Sequence, residues 1–170
     1  MAYSVFEREL KWILHGDEAF IRKKIKTYDS ETHFNYLKIL EKPFIVIRAA
    51  GSLGVDLVAV RGDVCFPIEV KASSKKTIRF SESSGRASQQ AEELLAECER
   101  ANVAPIYAFR LKGVRGKDPW RIFTIEIEGM TGHQRRLNRT IPNTPRTKSG
   151  NIALKWDEGM PLHKFIDYLC

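Results

Sequence analysis

Apolar residues recur at helical spacing near the start of the chain. Val5, Phe6, Leu10, Ile13 and Leu14 fall on one face, and Ser4 with Glu7 three residues on has the form of a capping box. These predict an amphipathic helix that weakens at Gly16 and Asp17. Residues 18–42 mix Ile21, Ile25, Phe34, Leu37 and Leu40 with the basic run Arg22 to Lys26. Their period is poor and predicts one or two further short helices, ended by Pro43. Residues 44–48 form a buried-type strand, and residues 49–54 a loop of small residues. Residues 56–61 and 64–71 are two apolar runs around Gly62-Asp63, the pattern of a β-hairpin. Pro67 within the second run predicts a bulge or a locally unpaired edge.

Residues 71–86 are polar and basic and predict a loop or short extended segment. Ala87, Ala91, Leu94, Leu95 and Cys98 then predict a helix over 84–102. Strands follow at 104–111 and 120–127, around a basic turn at 112–117. Residues 129–150 hold Arg135, Arg136, Arg139, Arg146 and Lys148, no acid and no clear period, and read as a mobile loop. A short strand is expected at 152–156 and a final helix at 161–169, with Pro161 in its first turn. This order gives an α/β layered fold with a mixed central sheet. The expectation is one domain over 1–170, with an inserted segment at 18–42 and a basic loop at 129–150.

Composition narrows the class. The chain has 170 residues, enough for one real core. At 43% hydrophobic and 29% charged it has the balance of a soluble globular protein. No apolar run has the length of a transmembrane helix, and the N-terminus carries acids where a signal peptide needs an apolar stretch, so a cytoplasmic location is expected. Cys65, Cys98 and Cys170 are odd in number and far apart, which points to reduced thiols. The four histidines have no ligand spacing. The net charge of +7 and pI near 9.4 favour a polyanionic partner.

The hairpin carries the chemistry. Asp56 opens its first strand, and Glu69-Val70-Lys71 ends its second. Alternation puts Glu69 and Lys71 on one face. Pairing of Asp56 near Glu69 brings two carboxylates and an ammonium to one sheet edge. A hard divalent cation takes such oxygens, so Asp56, Glu69 and the backbone carbonyl of Val70 are candidate metal ligands. Lys71 is placed to orient a water or neutralise a phosphate.

Gly54-Val-Asp56, followed thirteen residues on by Glu69-Val-Lys71, resembles the PD-(D/E)xK nuclease motif, with Val55 in place of the usual proline. Phe6-Glu7-Arg8-Glu9-Leu10 resembles the first helix of archaeal Holliday junction resolvases. Arg48-Ala-Ala-Gly-Ser52 resembles the strand and serine loop before their catalytic aspartate. Gln90, with Gln89 as a competing match, is similar to their helix-borne glutamine. Trp156 to Leu162 with Phe165 and Ile166 resembles a C-terminal helix of some members.

The resemblance implies a restriction-endonuclease-like fold and a magnesium-dependent endonuclease, with manganese as a substitute metal. It also implies a homodimer acting on four-way DNA junctions. It carries Glu7, Asp56 and Glu69 over as metal ligands, Lys71 as the catalytic lysine with Glu7 and Ser52 beside it, and Arg8 as a phosphate contact. Such an enzyme recognises shape, so its binding comes from phosphate contacts. Arg8, Arg48, Lys75, Lys76, Arg79, Arg86, Lys112, Arg115, Lys117, Arg135 and Arg136 are the candidates. A nucleoid-associated location follows. The apolar run 120–127 with the C-terminal helix is a candidate dimer surface. Two other readings compete: a restriction-like or repair nuclease cutting flaps or duplex, and a non-catalytic DNA-binding module on the same fold.

Overall fold

The computed structural model describes residues 4–50, 52–79, 86–144 and 152–170, and leaves out the side chains of Ser52, Arg86, Ala87 and Ser88. Helix α1 (Val5–His15) begins at Ser4, whose Oγ accepts the Glu7 N–H at 3.1 Å, and ends at Gly16 in the left-handed region. Asp17 and Asp29 cap two short helices, α2 (Glu18–Lys24) and α3 (Ser30–Leu37). These put Ile21, Ile25, Tyr36 and Ile39 into the core, so residues 18–42 form part of the helical layer.

The main sheet has six strands in the order β1 (Ile45–Arg48), β2 (Leu57–Arg61), β3 (Val64–Ser73), β5 (Ile106–Leu111), β6 (Trp120–Thr124) and β8 (Met160–Pro161). Among the described strands of this sheet only β3 and β5 pair in parallel, joined through helix α4 (Arg86–Ala101). A second, two-stranded sheet pairs β4 (Thr77–Arg79) with β7 (Ala153–Lys155). The mixed sheet flanked by helices is the α/β arrangement expected.

Alternation divides the core into two layers. Leu57, Phe66, Ile68, Ile106, Ala108 and Ile122 pack with α1, α3 and helix α6 (Leu162–Leu169). Tyr107, Phe109, Leu111 and Phe123 face the other way, onto Leu154 and Trp156. Asp118, buried at the head of β6, accepts from the Tyr36 hydroxyl at 2.8 Å and the backbone N–H groups of Trp120 and His163, tying α3, β6 and α6 together.

Residues 129–150 differ from the expected loop: helix α5 (Gly132–Thr140) lies within them. Its inward anchors are mostly polar, which hid it from a search for apolar periodicity. Asn138 bonds the Ile127 N–H, the Ile125 carbonyl and Thr124 Oγ1. Gln134 accepts from the Ala104 N–H at 2.9 Å and donates to the Cys65 carbonyl at 2.7 Å, occupying strand groups beyond the reach of the β3–β5 ladder.

Residues 71–79, where a loop or short extended segment was expected, contain the end of β3 and all of the short strand β4, so the extended alternative is the one that occurs. Pro67 causes no bulge, since Val58 stands opposite it in unbroken register. Its nitrogen faces the β5 side, where pairing begins only at Ile68, so the locally unpaired edge is what occurs. The surface of 120–127 is not available for dimerisation: Trp120, Ile122, Phe123, Ile125 and Ile127 are buried within the chain, as are Leu162, Phe165 and Ile166 of α6. Cys65, Cys98 and Cys170 are free thiols. Among the described residues no helix is long and apolar enough to cross a membrane.

Candidate active site

The hairpin forms as its pattern demands. Arg61 stands opposite Val64 across the Gly62-Asp63 turn, and the ladder runs to Leu57 opposite Ile68. Asp56 lies one residue outside it. Its N–H donates to the Ile68 carbonyl at 3.0 Å, and its carbonyl accepts from Ala49 at 2.9 Å. Its side chain then takes over the ladder: Oδ2 accepts the Val70 N–H at 2.7 Å. In a strand the N–H and C=O of one residue point to the same edge. The Val70 carbonyl therefore faces the edge where Asp56 lies.

Glu69 and Lys71 share a face, and their Oε1 and Nζ are 2.5 Å apart. Glu7, near the start of α1, lies 4.0 Å through Oε2 from Nε of Arg48, the last residue of β1. Four elements thus supply the site: α1, the end of β1, the start of β2 and the middle of β3.

Gly54 explains how the loop before Asp56 fits beneath α4. Its φ is +69°, and a Cβ there would lie 3.1 Å from Cβ of Gln90. Gln90 therefore packs on the loop that leads to Asp56. Gln89 instead is exposed and bonds Glu93.

Burial raises the Asp56 carboxyl above its ordinary value. The Val70 N–H, Lys71 and Arg48 oppose this, and the Glu7 carboxylate adds to it. Glu69 is also raised, chiefly by burial, with Lys71 opposing and Asp56 contributing. Tyr107, its partner in register on β5, is raised by burial and by Glu69. Two half-buried, mutually repelling carboxylates are a donor set that a divalent cation relieves, so the residues fit a hard metal ion. Among the described residues, however, Glu7, Asp56 and Glu69 do not close into a three-ligand cage. Glu69 is turned onto Lys71 instead.

Glu9 is a buried residue to which sequence reasoning gave no role. It accepts from Trp120 Nε1 at 2.9 Å, Lys24 Nζ at 3.1 Å and Arg110 Nε at 3.2 Å. That network pins α1 across β5 and β6 and so fixes where Glu7 stands. An apolar-stripe reading could not find it, because a charged residue on the inward face breaks the stripe.

The candidate DNA contacts are spread over several elements. Lys75 and Lys76 follow β3, while Lys112, Arg115 and Lys117 follow β5; all are exposed. The two turns are joined where the Lys112 N–H donates to the Ser73 carbonyl. Lys76 and Lys117 approach the Trp156 ring, and Lys112 approaches Phe6, the neighbour of Glu7. Arg79 is exposed on β4. Arg135 and Arg136 lie on α5, at the opposite end of β3. Arg8 is exposed over the Trp12 ring, and Arg48 belongs to the acidic site itself. The Ser52 and Arg86 side chains lie outside the described residues.

The sequence model described as "Archaeal holliday junction resolvase (hjc)" matches residues 31–144, which include Asp56, Glu69 and Lys71 but not Glu7. Among curated proteins no sequence matches this chain. Among solved structures, Hjc of Archaeoglobus fulgidus, a Holliday junction resolvase from an archaeal hyperthermophile, superposes with a TM-score of 0.53. It is 18% identical, and the superposition covers 98% of this chain and 100% of that one. At that identity the likeness speaks for the fold.

Proposed function

The chain belongs to the archaeal Holliday junction resolvase family. From that premise we propose that it is a structure-selective endonuclease that resolves four-way DNA junctions by magnesium-dependent phosphodiester hydrolysis. The observation that carries the reading is the convergence of Asp56, Glu69 and Lys71 on one sheet edge, with Asp56 fixed by the Val70 N–H. Asp56, Glu69 and the Val70 carbonyl would hold the metal, with Glu7 completing the set and manganese able to replace magnesium. When bound, the ion supplies a Lewis acid and a water of lowered pKa.

The chain's own residues do the rest. Lys71, which pairs with Glu69, would donate to the attacking water or the scissile phosphate. Arg48 balances the acidic cluster and meets the incoming phosphate. Ser52 lies in the loop ahead of Asp56, and the family resemblance gives it a supporting role at the same phosphate. Lys75, Lys76, Lys112, Arg115 and Lys117 form a basic ridge beside the site, along which one DNA arm is held by its backbone. Arg8 and Arg79, with Arg135 and Arg136 of α5, add contacts away from that ridge, and Arg86 is a further candidate. Two strands are cut by two copies, as a homodimer whose two-fold axis matches the pseudo-symmetry of the junction. Such an enzyme works in the nucleoid of the cytoplasm.

Four-way junction, flap and linear duplex assayed side by side with magnesium test this reading. Preferential cutting of the junction supports it, and equal or better cutting of linear duplex counts against it.

A further inference from the structure

One line of α1 serves neither the core nor the acidic cluster. Val5, Arg8 and Trp12 recur at i, i+3 and i+7, which places them on one face of the helix. Val5 is 66% exposed and Trp12 38%, whereas the other two tryptophans, Trp120 and Trp156, are buried. The Trp12 ring is braced. The Phe20 ring of α2 lies 4.9 Å from it, centroid to centroid, tilted by 56°. The Arg8 guanidinium stands 5.9 Å from the Trp12 ring, and Lys24 Nζ 5.5 Å from the Phe20 ring. Lys24 also bonds Glu9, whose contact with Trp120 pins α1 to the sheet. Arg22 and Lys23 of α2 are exposed nearby, and Glu18, the acid in the first turn of that helix, is paired with Arg22. At its other end the line meets the basic ridge: Lys112 Nζ lies 5.6 Å from the ring of Phe6, the neighbour of Val5.

Resting on the nuclease reading above, we infer that the Trp12–Phe20 pair is a stacking platform for an unpaired nucleobase of branched DNA. Every base has a π-face, so an exposed indole accepts any of them, while cations beside it hold the backbone. A base paired and stacked within a duplex offers no such face, but a base unstacked at a point of strand exchange does. The platform therefore separates branched from linear DNA without reading sequence, a distinction that contacts to phosphates alone do not make.

Its position suits the reaction. Trp12 lies five residues on from Glu7, about 7.5 Å along the helix at ~1.5 Å per residue, or roughly two nucleotide steps of ~3.4 Å. A ring already held by Phe20 gives up little freedom when a base stacks on it, which favours binding.

Fluorescence anisotropy with labelled oligonucleotides, in chelator and so without cleavage, tests the platform. The probes are an oligothymidylate and an abasic strand of equal length, which keeps the phosphates and lacks the bases. Wild type is expected to bind the oligothymidylate about tenfold more tightly than the abasic strand, the scale of one stacked base. Trp12→Leu is expected to bind the two alike, and Trp12→Phe to keep most of the difference. The oligothymidylate should also quench the tryptophan emission of wild type, and the abasic strand should not, since Trp12 is the exposed indole. With a four-way junction, Trp12→Leu should lose about tenfold in affinity, while its affinity for linear duplex stays unchanged. Equal wild-type affinity for the two single strands overturns the proposal, whether or not the leucine variant folds. A Trp12→Leu protein that keeps the preference overturns it too, as does one that loses junction and duplex affinity equally. A junction bound as expected but left uncut with magnesium would instead overturn only the nuclease reading.

Discussion

Val70 donates its backbone N–H to Oδ2 of Asp56 at 2.7 Å, so the strand that presents Glu69 and Lys71 also fixes the aspartate. The side chain extends the β2–β3 ladder one step past its last backbone bond. The distance from Asp56 to the lysine is thus set by strand register and not by a flexible loop. A slip of one residue would send Glu69 and Lys71 to the opposite face and dismantle the site.

The carboxylates make stability depend on pH with a definite sign. Asp56 and Glu69 both have raised values, so the folded chain holds protons that the unfolded chain has released. Stability from this pair is therefore greatest below the ordinary carboxylate range. It falls as pH rises from about 4 through the raised folded values. Asp56→Asn keeps an oxygen for the Val70 N–H and removes the charge. Thermal unfolding in chelator should place this variant roughly 1–3 °C above wild type at neutral pH, with the gap shrinking towards pH 4. A gap that is constant or reversed would contradict the burial and repulsion assigned to Asp56.

Metal affinity should follow the same groups in the opposite sense. Binding needs both carboxylates ionised, so calorimetric titration with magnesium or manganese should weaken on acidification above the ordinary carboxylate range, with proton release. Affinity unchanged as pH falls from neutral to the ordinary carboxylate range would argue against Asp56 and Glu69 as the ligands.

Gly54→Ala tests the loop. It places a Cβ at φ +69° and 3.1 Å from Gln90. A loss of about 1–2 kcal/mol is expected from backbone strain alone, measurable by urea unfolding. Cleavage should drop further than that, because Asp56 lies two residues on. Wild-type stability and rate together would show that the loop is not constrained as described.

Glu9→Ala removes the acceptor shared by Trp120, Lys24 and Arg110. Leaving buried donors unpaired should cost about 3–5 kcal/mol. Glu9→Gln should cost less and retain the fold, while shifting α1 enough to weaken metal binding through Glu7. A Gln variant with unaltered metal affinity would separate Glu9 from the site.

Salt dependence tests the basic ridge. Replacing Lys75, Lys76 and Lys112 by Gln should reduce the slope of log K against log salt by about 2–3 for junction DNA, at roughly 0.9 per phosphate contact. An unchanged slope would move the DNA arm elsewhere on the surface.

Much of this arrangement was legible in the sequence. Period-two runs around Gly62-Asp63 specified the hairpin, and alternation alone placed Glu69 beside Lys71. The buried stripes of α1, α4 and α6 were equally plain. What escaped was held by polar side chains. Helix α5 is seated by Gln134 and Asn138, and α1 by Glu9, none of which registers in a hydrophobic period. The placement of the basic residues escaped as well. Lysines distant in sequence, such as Lys76 and Lys117, meet because β3 and β5 run parallel, while Arg135 and Arg136 are carried to the far end of the sheet. The apolar run 120–127 suggested an outer surface, but pairing with β5 and β8 buries it, and exposure falls instead on Ile45 and Ile47 of the edge strand.

The most direct measurement is the initial rate of magnesium-dependent cleavage of a synthetic four-way junction by wild type and by Asp56→Asn. Binding of the same junction is measured in parallel. The site described here predicts cleavage by wild type, at least a ~10³-fold loss in the variant, as when transition-state charge stabilisation is removed, and junction affinity within a few-fold. An Asp56→Asn protein that binds and cuts like wild type would contradict it.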